Sequence, residues 1–264
     1  RKFMYALFVL VSFGASIVGA ICGIGGGVII KPTLDAFGVL SVAAISFLSG
    51  CTVLSMSCYS VVRSKLAGDS GVDMKTGTPL AIGAAVGGIV GKMMFQYLSG
   101  QFADQDMVGA VQAACLVVIT IGTLLYTIKK EQIRTHKLTH VGVCLAIGLV
   151  LGIMSSFLGI GGGPINLVVL FYFFSMDTKT AAANSLYIIL FSQITSLANT
   201  LLTGTVPEFD PVLLILMIIS GIAGGMAGRA INKKIDSKTV DKLFIGLMVV
   251  LIFINIYNIY RFVG

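Results

Sequence analysis

Apolar residues in this chain run on in long blocks, separated by short polar stretches, and do not alternate with polar ones. Ten such blocks fall at residues 3–22, 28–37, 42–62, 79–98, 107–128, 141–158, 164–176, 180–202, 212–228 and 240–262. Sustained apolarity of this kind marks helices that are apolar on every face. Eight blocks approach or exceed the roughly 20 residues that cross a bilayer's hydrocarbon. The other two, 28–37 and 164–176, are too short, and each directly follows a run of glycines. The pattern predicts an all-α polytopic membrane protein.

The glycine runs are copies of each other. Gly23-Ile24-Gly25-Gly26-Gly27 recurs as Gly159-Ile160-Gly161-Gly162-Gly163. Ala43-Ala44-Ile45-Ser46 aligns with Ala182-Ala183-Asn184-Ser185, and Gly87 through Lys92 aligns with Gly224 through Arg229. Matched blocks in the same order indicate an internal duplication. The first repeat covers 1–128, with a hairpin at 3–38 and spans at 42–62, 79–98 and 107–128. A basic loop at 129–139 leads to the second repeat, 140–264, with a hairpin at 141–176 and spans at 180–202, 212–228 and 240–262. The block 3–22 has a counterpart in the second half, so it reads as structure and not as a cleaved leader. Gly87xxxGly91 and Gly224xxxGly228 are small-xxx-small patterns that let two helix backbones approach closely.

Charge sets the topology. Only 11% of the residues are charged against 56% hydrophobic, too few to cover a water-soluble surface of this size. The net charge of +7 comes from short loops between apolar blocks, so it carries topology and not nucleic-acid binding. Basic residues collect in three loops, around Arg63–Lys75, Lys129–Lys137 and Arg229–Lys242. The loops at 100–106 and 203–211 carry only acids: Asp104, Asp106, Glu208 and Asp210. Basic loops inside and acidic loops outside require that 141–176 enter and leave on one side, as a re-entrant hairpin tipped by Gly159–Gly163. Each repeat then has one hairpin and three spans, and the two repeats are inverted. Parallel four-span repeats are the rival, which would leave five basic residues on the outer side.

Three adjacent glycines remove the side chains that hold a helix and unwind it where the block is apolar. Non-helical backbone at that depth survives only when covered by protein or lining a polar cavity. Two such breaks in matching places of two halves point to a transporter's binding site. Exposed N–H groups of Gly25, Gly26, Gly27, Gly161, Gly162 and Gly163, with the positive starts of the helices that follow, suit a small anion. Pro164 fits the first helical position. Polar side chains placed to complete the shell are Thr33, Ser46 and Ser49 in the first half, and Asn166, Asn184, Ser185 and Gln193 in the second. Asn184 and Asn166 are equally open to a role as interhelical ties. Lys31, Asp35, Asp177 and Lys179 are expected at hairpin ends, as anchors or mutual pairs. Lys92 and Arg229, at matching repeat positions, are placed to attract anions toward the two faces.

The pattern GxGGGxxxxP from Gly23 to Pro32, with the second GxGGG at Gly159–Gly163, resembles the TauE/SafE family of sulfite exporters. The second copy departs from it, with Pro164 directly after the glycines and Val168 where Pro32 stands in the first. The resemblance implies export of sulfite or a related sulfur-containing anion across the bacterial plasma membrane, without ATP. The absence of GxxxxGK[ST] agrees with a secondary transporter. A channel or facilitator for another small oxyanion or an organosulfonate is the alternative. The chain is expected not to be an enzyme, because both histidines, His136 and His140, sit in a loop and neither GxSG nor GxGD occurs. Neither a metal nor a cofactor is expected. The bilayer and a small inorganic or organosulfur anion are the expected partners, while proton or cation coupling and oligomeric state stay open.

Overall fold

The computed structural model describes residues 2–264. The predicted apolar blocks each form a helix: α1 (Lys2–Cys22), α2 (Gly27–Phe37), α3 (Val42–Leu66), α4 (Met74–Gln101), α5 (Gln105–Lys129), α6 (Val141–Phe157), α7 (Pro164–Phe174), α8 (Thr178–Leu202), α9 (Pro211–Asn232) and α10 (Ser237–Val263). No strand is present among the described residues. Among the described residues seven helices, α1, α3, α4, α5, α8, α9 and α10, are long and apolar enough to cross a membrane. That is one fewer than the apolar blocks suggest, because α6 stops after 17 residues. Leu158 caps it and Gly159 turns the chain with a positive φ of 66°.

Acidic residues start several helices. The carboxylates of Asp73, Asp104, Asp210 and Asp236 accept from backbone amides in the first turns of α4, α5, α9 and α10. Each thereby satisfies a donor that the helix itself leaves open and sits at the positive end of the dipole.

Glycine faces decide how the helices pack. A side chain at Gly83, Gly87 or Gly91 of α4 would collide with the backbone carbonyls of Leu145, Leu149 and Ile153 on α6. One at Gly224 or Gly228 of α9 would collide with the carbonyls of Phe13 and Ile17 on α1. The small-xxx-small patterns therefore bring backbones into direct contact. Each half thus packs its first helix against the other half: α6 on α4, and α1 on α9.

Contact registers give the directions. Tyr5 bonds Asp210 at one end of the α1–α9 pair, and Asn232 Nδ2 donates to the Ile21 carbonyl at 2.7 Å at the other, so the two run parallel. Helix α3 lies parallel to α9, with Thr52 against Gly221, Met56 against Gly225 and Ser64 beside Arg229. On the other side α4 and α6 are parallel, with Leu80 against Gly148 and Ala84 against Gly152. Helix α8 follows α4 in the same sense, from Asn184 at Gly77 to Thr205 at Gln96. The two groups, α1, α3 and α9 against α4, α6 and α8, run in opposite directions. Their junction is the crossing of α3 with α8, where Gly50 meets Gln193 and Ser60 shares a cavity with Ala182.

Gly224→Val tests the glycine faces, because the added side chain meets the Phe13 carbonyl and the Ser16 side chain. Overpacking of this kind costs about 1–3 kcal/mol or more. The purified variant in detergent is expected to show a lowered melting temperature and a shift to aggregate on size exclusion, whereas Gly246→Ala, where nothing lies nearby, leaves both unchanged.

Candidate functional site

The two glycine turns abut each other at the α3–α8 crossing. After α1 the amides of Gly23 and Ile24 both donate to the Gly19 carbonyl, at 2.9 and 3.1 Å, which closes the helix. Gly26 then sits against Ala15 and Ser16, so α2 folds back along α1. Gly26 has φ 74°, a left-handed conformation that side chains resist, and its carbonyl accepts from Ile29 and Ile30 to begin α2. In the second turn Gly162 adopts φ 139°, a region essentially confined to glycine. A side chain at Gly27 would collide with the Ile160 carbonyl, so the two turns touch backbone to backbone.

Among the described residues, no carbonyl or side chain accepts from the amides of Gly25, Gly26, Gly161 or Gly162. Such donors deep in an apolar protein are energetically exposed unless a ligand or water meets them. In this conformation apolar side chains lie against three of these glycines, while the Gly26 amide nitrogen packs on Gly19 of α1. Val53 of α3 lies against Gly25 and Gly161, and Ile189 of α8 lies against Gly25 and Gly162. Val53 and Ile189 cluster with Met56, Leu186 and Ala20 into an apolar plug.

A cavity lies on either side of this plug. The larger, about 380 Å³, has Ala20, Ala182 and Leu186 at its inner end, and Ala182 packs directly on Gly23. Exposed Asp69, Ser70 and Lys233 form its mouth, with Lys179 and Arg229 also on the wall. The Asp69 carboxylate ties up two of the cations, with Arg229 Nη2 at 2.6 Å and Lys233 Nζ at 2.5 Å. The hydrogen bond from Lys233, together with the Arg229 and Lys233 charges and against the desolvation that opposes them, holds the Asp69 carboxyl below its ordinary range. The smaller cavity, about 30 Å³, is lined by Ser46, Gln193, Lys92, Ser156 and Gly159, and no exposed residue reaches it. The hydroxyls of Ser46 and Ser156 are buried there without partners. Lys92 Nζ stands 4.9 Å from the Phe95 ring centre. Arg229 on one cavity and Lys92 on the other occupy matching positions of the two repeats.

The residues singled out from the sequence divide among these places. Ser46 and Gln193 line the enclosed cavity. Gly163 and Asn166 line a third, small void of about 10 Å³ beside α6. Asn166 Nδ2 reaches the Ser185 hydroxyl at 3.4 Å, while its carbonyl oxygen has no partner. Asn184 is fully engaged: it donates to the carbonyls of Gly71 and Thr180 and accepts from the Asp73 amide, the geometry of a tie between α8 and the α3–α4 loop. Thr33 is half-buried on α2 and lines none of the three cavities, and Ser49 is buried without a partner. Gly25, Gly27, Gly161 and Gly162 sit behind the plug and Gly26 against α1, none of them on a cavity wall.

Other functional candidates were not assigned to the site from sequence. Val53 and Ile189 look like any core residues of an apolar span, so nothing in the pattern marked them. Lys31 and Asp35 do form a mutual pair toward the end of the first hairpin, and it is buried, at 1% and 5% exposed. Their i,i+4 spacing on an 11-residue helix directly after a glycine run was the available signal. Among the described residues no group of His, Cys, Asp or Glu could hold a metal ion.

Asp69→Asn removes the carboxylate that occupies Arg229 and Lys233 and leaves the cavity mouth more positive. Anion entry should quicken at low ionic strength and slow more steeply as salt is added, because exposed charges are screened beyond about 8–10 Å in physiological salt. Iodide quenching of a fluorophore attached at Ser70→Cys in a cysteine-free background, followed across a salt series, checks this. In the wild type the lowered folded pKa means that the Asp69 tie is present above the ordinary carboxylate value, about 3.9, and is lost as pH falls through the folded value. The mouth should therefore behave uniformly across neutral pH.

The comparisons with known proteins point to a membrane transporter. The family described as sulfite exporter TauE/SafE matches residues 8–254. The chain is 24% identical over 224 residues to the probable membrane transporter protein YunE of Bacillus subtilis, covering 76% of this chain and 80% of that one. It is 25% identical over 209 residues to the probable membrane transporter protein MJ0441 of Methanocaldococcus jannaschii, covering 75% and 73%. No solved structure matches it.

Proposed function

This chain belongs to the TauE/SafE sulfite exporter family, and we propose that it is a secondary transporter that exports sulfite or a related small sulfur-containing anion across a bacterial plasma membrane. The observation that carries the reading is the meeting of two glycine turns, with four amides lacking acceptors, between two cavities that each carry one cation of a repeat-related pair. Oriented amides and neutral hydroxyls can hold a compact oxyanion without the tight grip of a fixed charge at the centre. The cations act at the approaches: Arg229 on the open side, Lys92 on the enclosed one.

Alternating access follows from two inverted repeats, a reading supported by helix direction. Helices α1, α3 and α4 run opposite to their counterparts α6, α8 and α9. The 11-residue α2, folded back on α1, fits a hairpin that re-enters on the side it came from. In this conformation the larger cavity has room for a hydrated anion, while the smaller holds a water or two. The basic loops favour the cytoplasmic side for the larger cavity. Sulfite then enters past Arg229 and reaches the glycine turns once Val53 and Ile189 withdraw. Rocking of one repeat against the other passes it toward Lys92 and the outer face.

Purified protein in liposomes should move radiolabelled sulfite, with inhibition by anions of similar size and shape. Ile189→Val deletes the terminal methyl that lies 3.1 Å from a side-chain position on Gly25 and covers Gly162. At a stability cost of about 0.5–1.5 kcal/mol it should fold and carry sulfite faster than the wild type. Robust uptake of a metal cation or an amino acid, with no response to sulfite or other sulfur anions, would refute the reading.

Orientation has its own check. In a cysteine-free background, Asp104→Cys and Pro207→Cys should label from outside intact cells. Ser70→Cys, Thr135→Cys and Ser237→Cys should label only after permeabilisation. Outside labelling at position 237 without labelling at 135 would replace the inverted arrangement with parallel repeats.

A further inference from the structure

The transport route leaves one buried pair of charges without a task. Lys31 Nζ and Asp35 Oδ2 stand 2.5 Å apart on successive turns of α2, almost wholly enclosed. Desolvating such a pair is costly, and apolar side chains of similar volume often serve stability as well or better. The fold does not require it: Leu167 and Phe171 stand at the matching positions of α7, and the second hairpin forms without charges. Ionisable groups retained inside a membrane protein commonly mark ion or proton pathways.

The surroundings connect the pair to the route. The Lys31 side chain passes Gly159, its Cε 3.3 Å from a side-chain position there. The unpartnered Ser46 hydroxyl flanks the same glycine, and Ser46 and Gly159 both line the enclosed cavity. Asp35 keeps its second carboxylate oxygen, Oδ1, buried and without a partner. The helices packed on α2 present few ionisable groups. Helix α10 brings Arg261, whose guanidinium is bound to the Asp35 backbone carbonyl. Helix α1 brings Tyr5, bonded to Asp210, and α3 brings Cys51, which lines the enclosed cavity together with Lys92 of α4.

We propose that Lys31 and Asp35 form the proton site of the transport cycle, an inference that rests on the transport reading above. An anion arriving at the Gly159 turn attracts the Lys31 ammonium. Asp35, still buried, then keeps only Arg261, bound to its backbone carbonyl, as a nearby cation, and its carboxylate takes up a proton from water. When the anion leaves, Lys31 returns and the proton is released. Linkage is reciprocal, so a protonated Asp35 frees Lys31 and favours anion binding in turn. Proton and anion therefore travel in the same direction.

The test uses the full chain in liposomes that enclose a pH-sensitive dye, with a sulfite gradient and no initial pH gradient. Sulfite and lumenal protons are followed together, and the same amounts of sulfite added to detergent-opened liposomes give the contribution of sulfite's own titration. In the wild type, protons beyond that contribution should move with sulfite in the same direction. Asp35→Asn should still move sulfite, with the proton signal reduced to the contribution of sulfite's own titration. Should Asp35→Asn strand the Lys31 charge and fail to fold, the neutral Lys31→Gln/Asp35→Asn double variant decides. It is expected to keep the wild-type melting temperature and to show no sulfite-driven proton movement. Wild-type sulfite flux without protons, or with protons moving the opposite way, overturns the proton site and leaves the transport reading standing. So does a proton signal that persists in either variant. If the wild type moves no sulfite at all, the transport reading falls and takes the proton site with it.

Discussion

Bare backbone in the middle of a membrane protein must be met from every side, and this requirement organises the whole molecule. The amides of Gly25, Gly26, Gly161 and Gly162 have no acceptor where the chain crosses itself. Lipid cannot serve them, so helices have to surround them. The crossing of α3 and α8 supplies the cover at Gly25, Gly161 and Gly162 through Val53 and Ile189, Gly19 of α1 backs Gly26, and the glycine faces of α4 and α9 draw the outer helices close. Removable apolar cover over open donors is also what a transport site needs. The same contact that closes the site to lipid and water in one state can withdraw in another.

Much of this was legible in the sequence, because membrane helices announce themselves by composition and length. All ten blocks became helices, and the doubled glycine runs marked where two of them break. Ser46 and Gln193 were named from polarity within apolar spans, and both line the enclosed cavity. The rest depended on distances that no linear pattern carries. Asn184 looked like a candidate ligand because an amide in an apolar span needs a partner. Only the fold shows that the loop at Gly71 and Asp73 provides one. The plug residues were invisible for the opposite reason, since valine and isoleucine are the commonplace of such helices. Helix α6 was overestimated because Leu158 continues the apolar block while Gly159 has already turned the chain.

The two halves share a plan but not a chemistry. The first hairpin carries Pro32, Lys31 and Asp35 where the second has Val168, Leu167 and Phe171. Asn258 of α10 donates to the Pro32 carbonyl at 2.8 Å, and Arg261 holds the Asp35 carbonyl, so the last helix is fastened to this hairpin. Helix α7 packs through Leu167, Leu170 and Phe171 in the main core cluster, and its end is fastened to the loop after α5, where the amides of His136 and Leu138 donate to the Tyr172 and Phe173 carbonyls at 2.8 and 3.0 Å. The two hairpins are thus both tethered, but only the first carries a buried charge pair.

The exchange of first helices between the halves bears on how the protein is made. Helix α1 rests on α9, and Asn232 near the end of α9 closes the carbonyl of Ile21 in the first hairpin. During synthesis α1 therefore waits, its glycine-side surface facing lipid or a chaperone, until nearly the whole chain has emerged. The first half has no finished state of its own, since the partner surface for its opening helix is encoded in the second. Contacts so distant in sequence make assembly slow and late. Once closed, they bind the repeats as interlocked parts, so that neither half can be lost or replaced without unmaking the other.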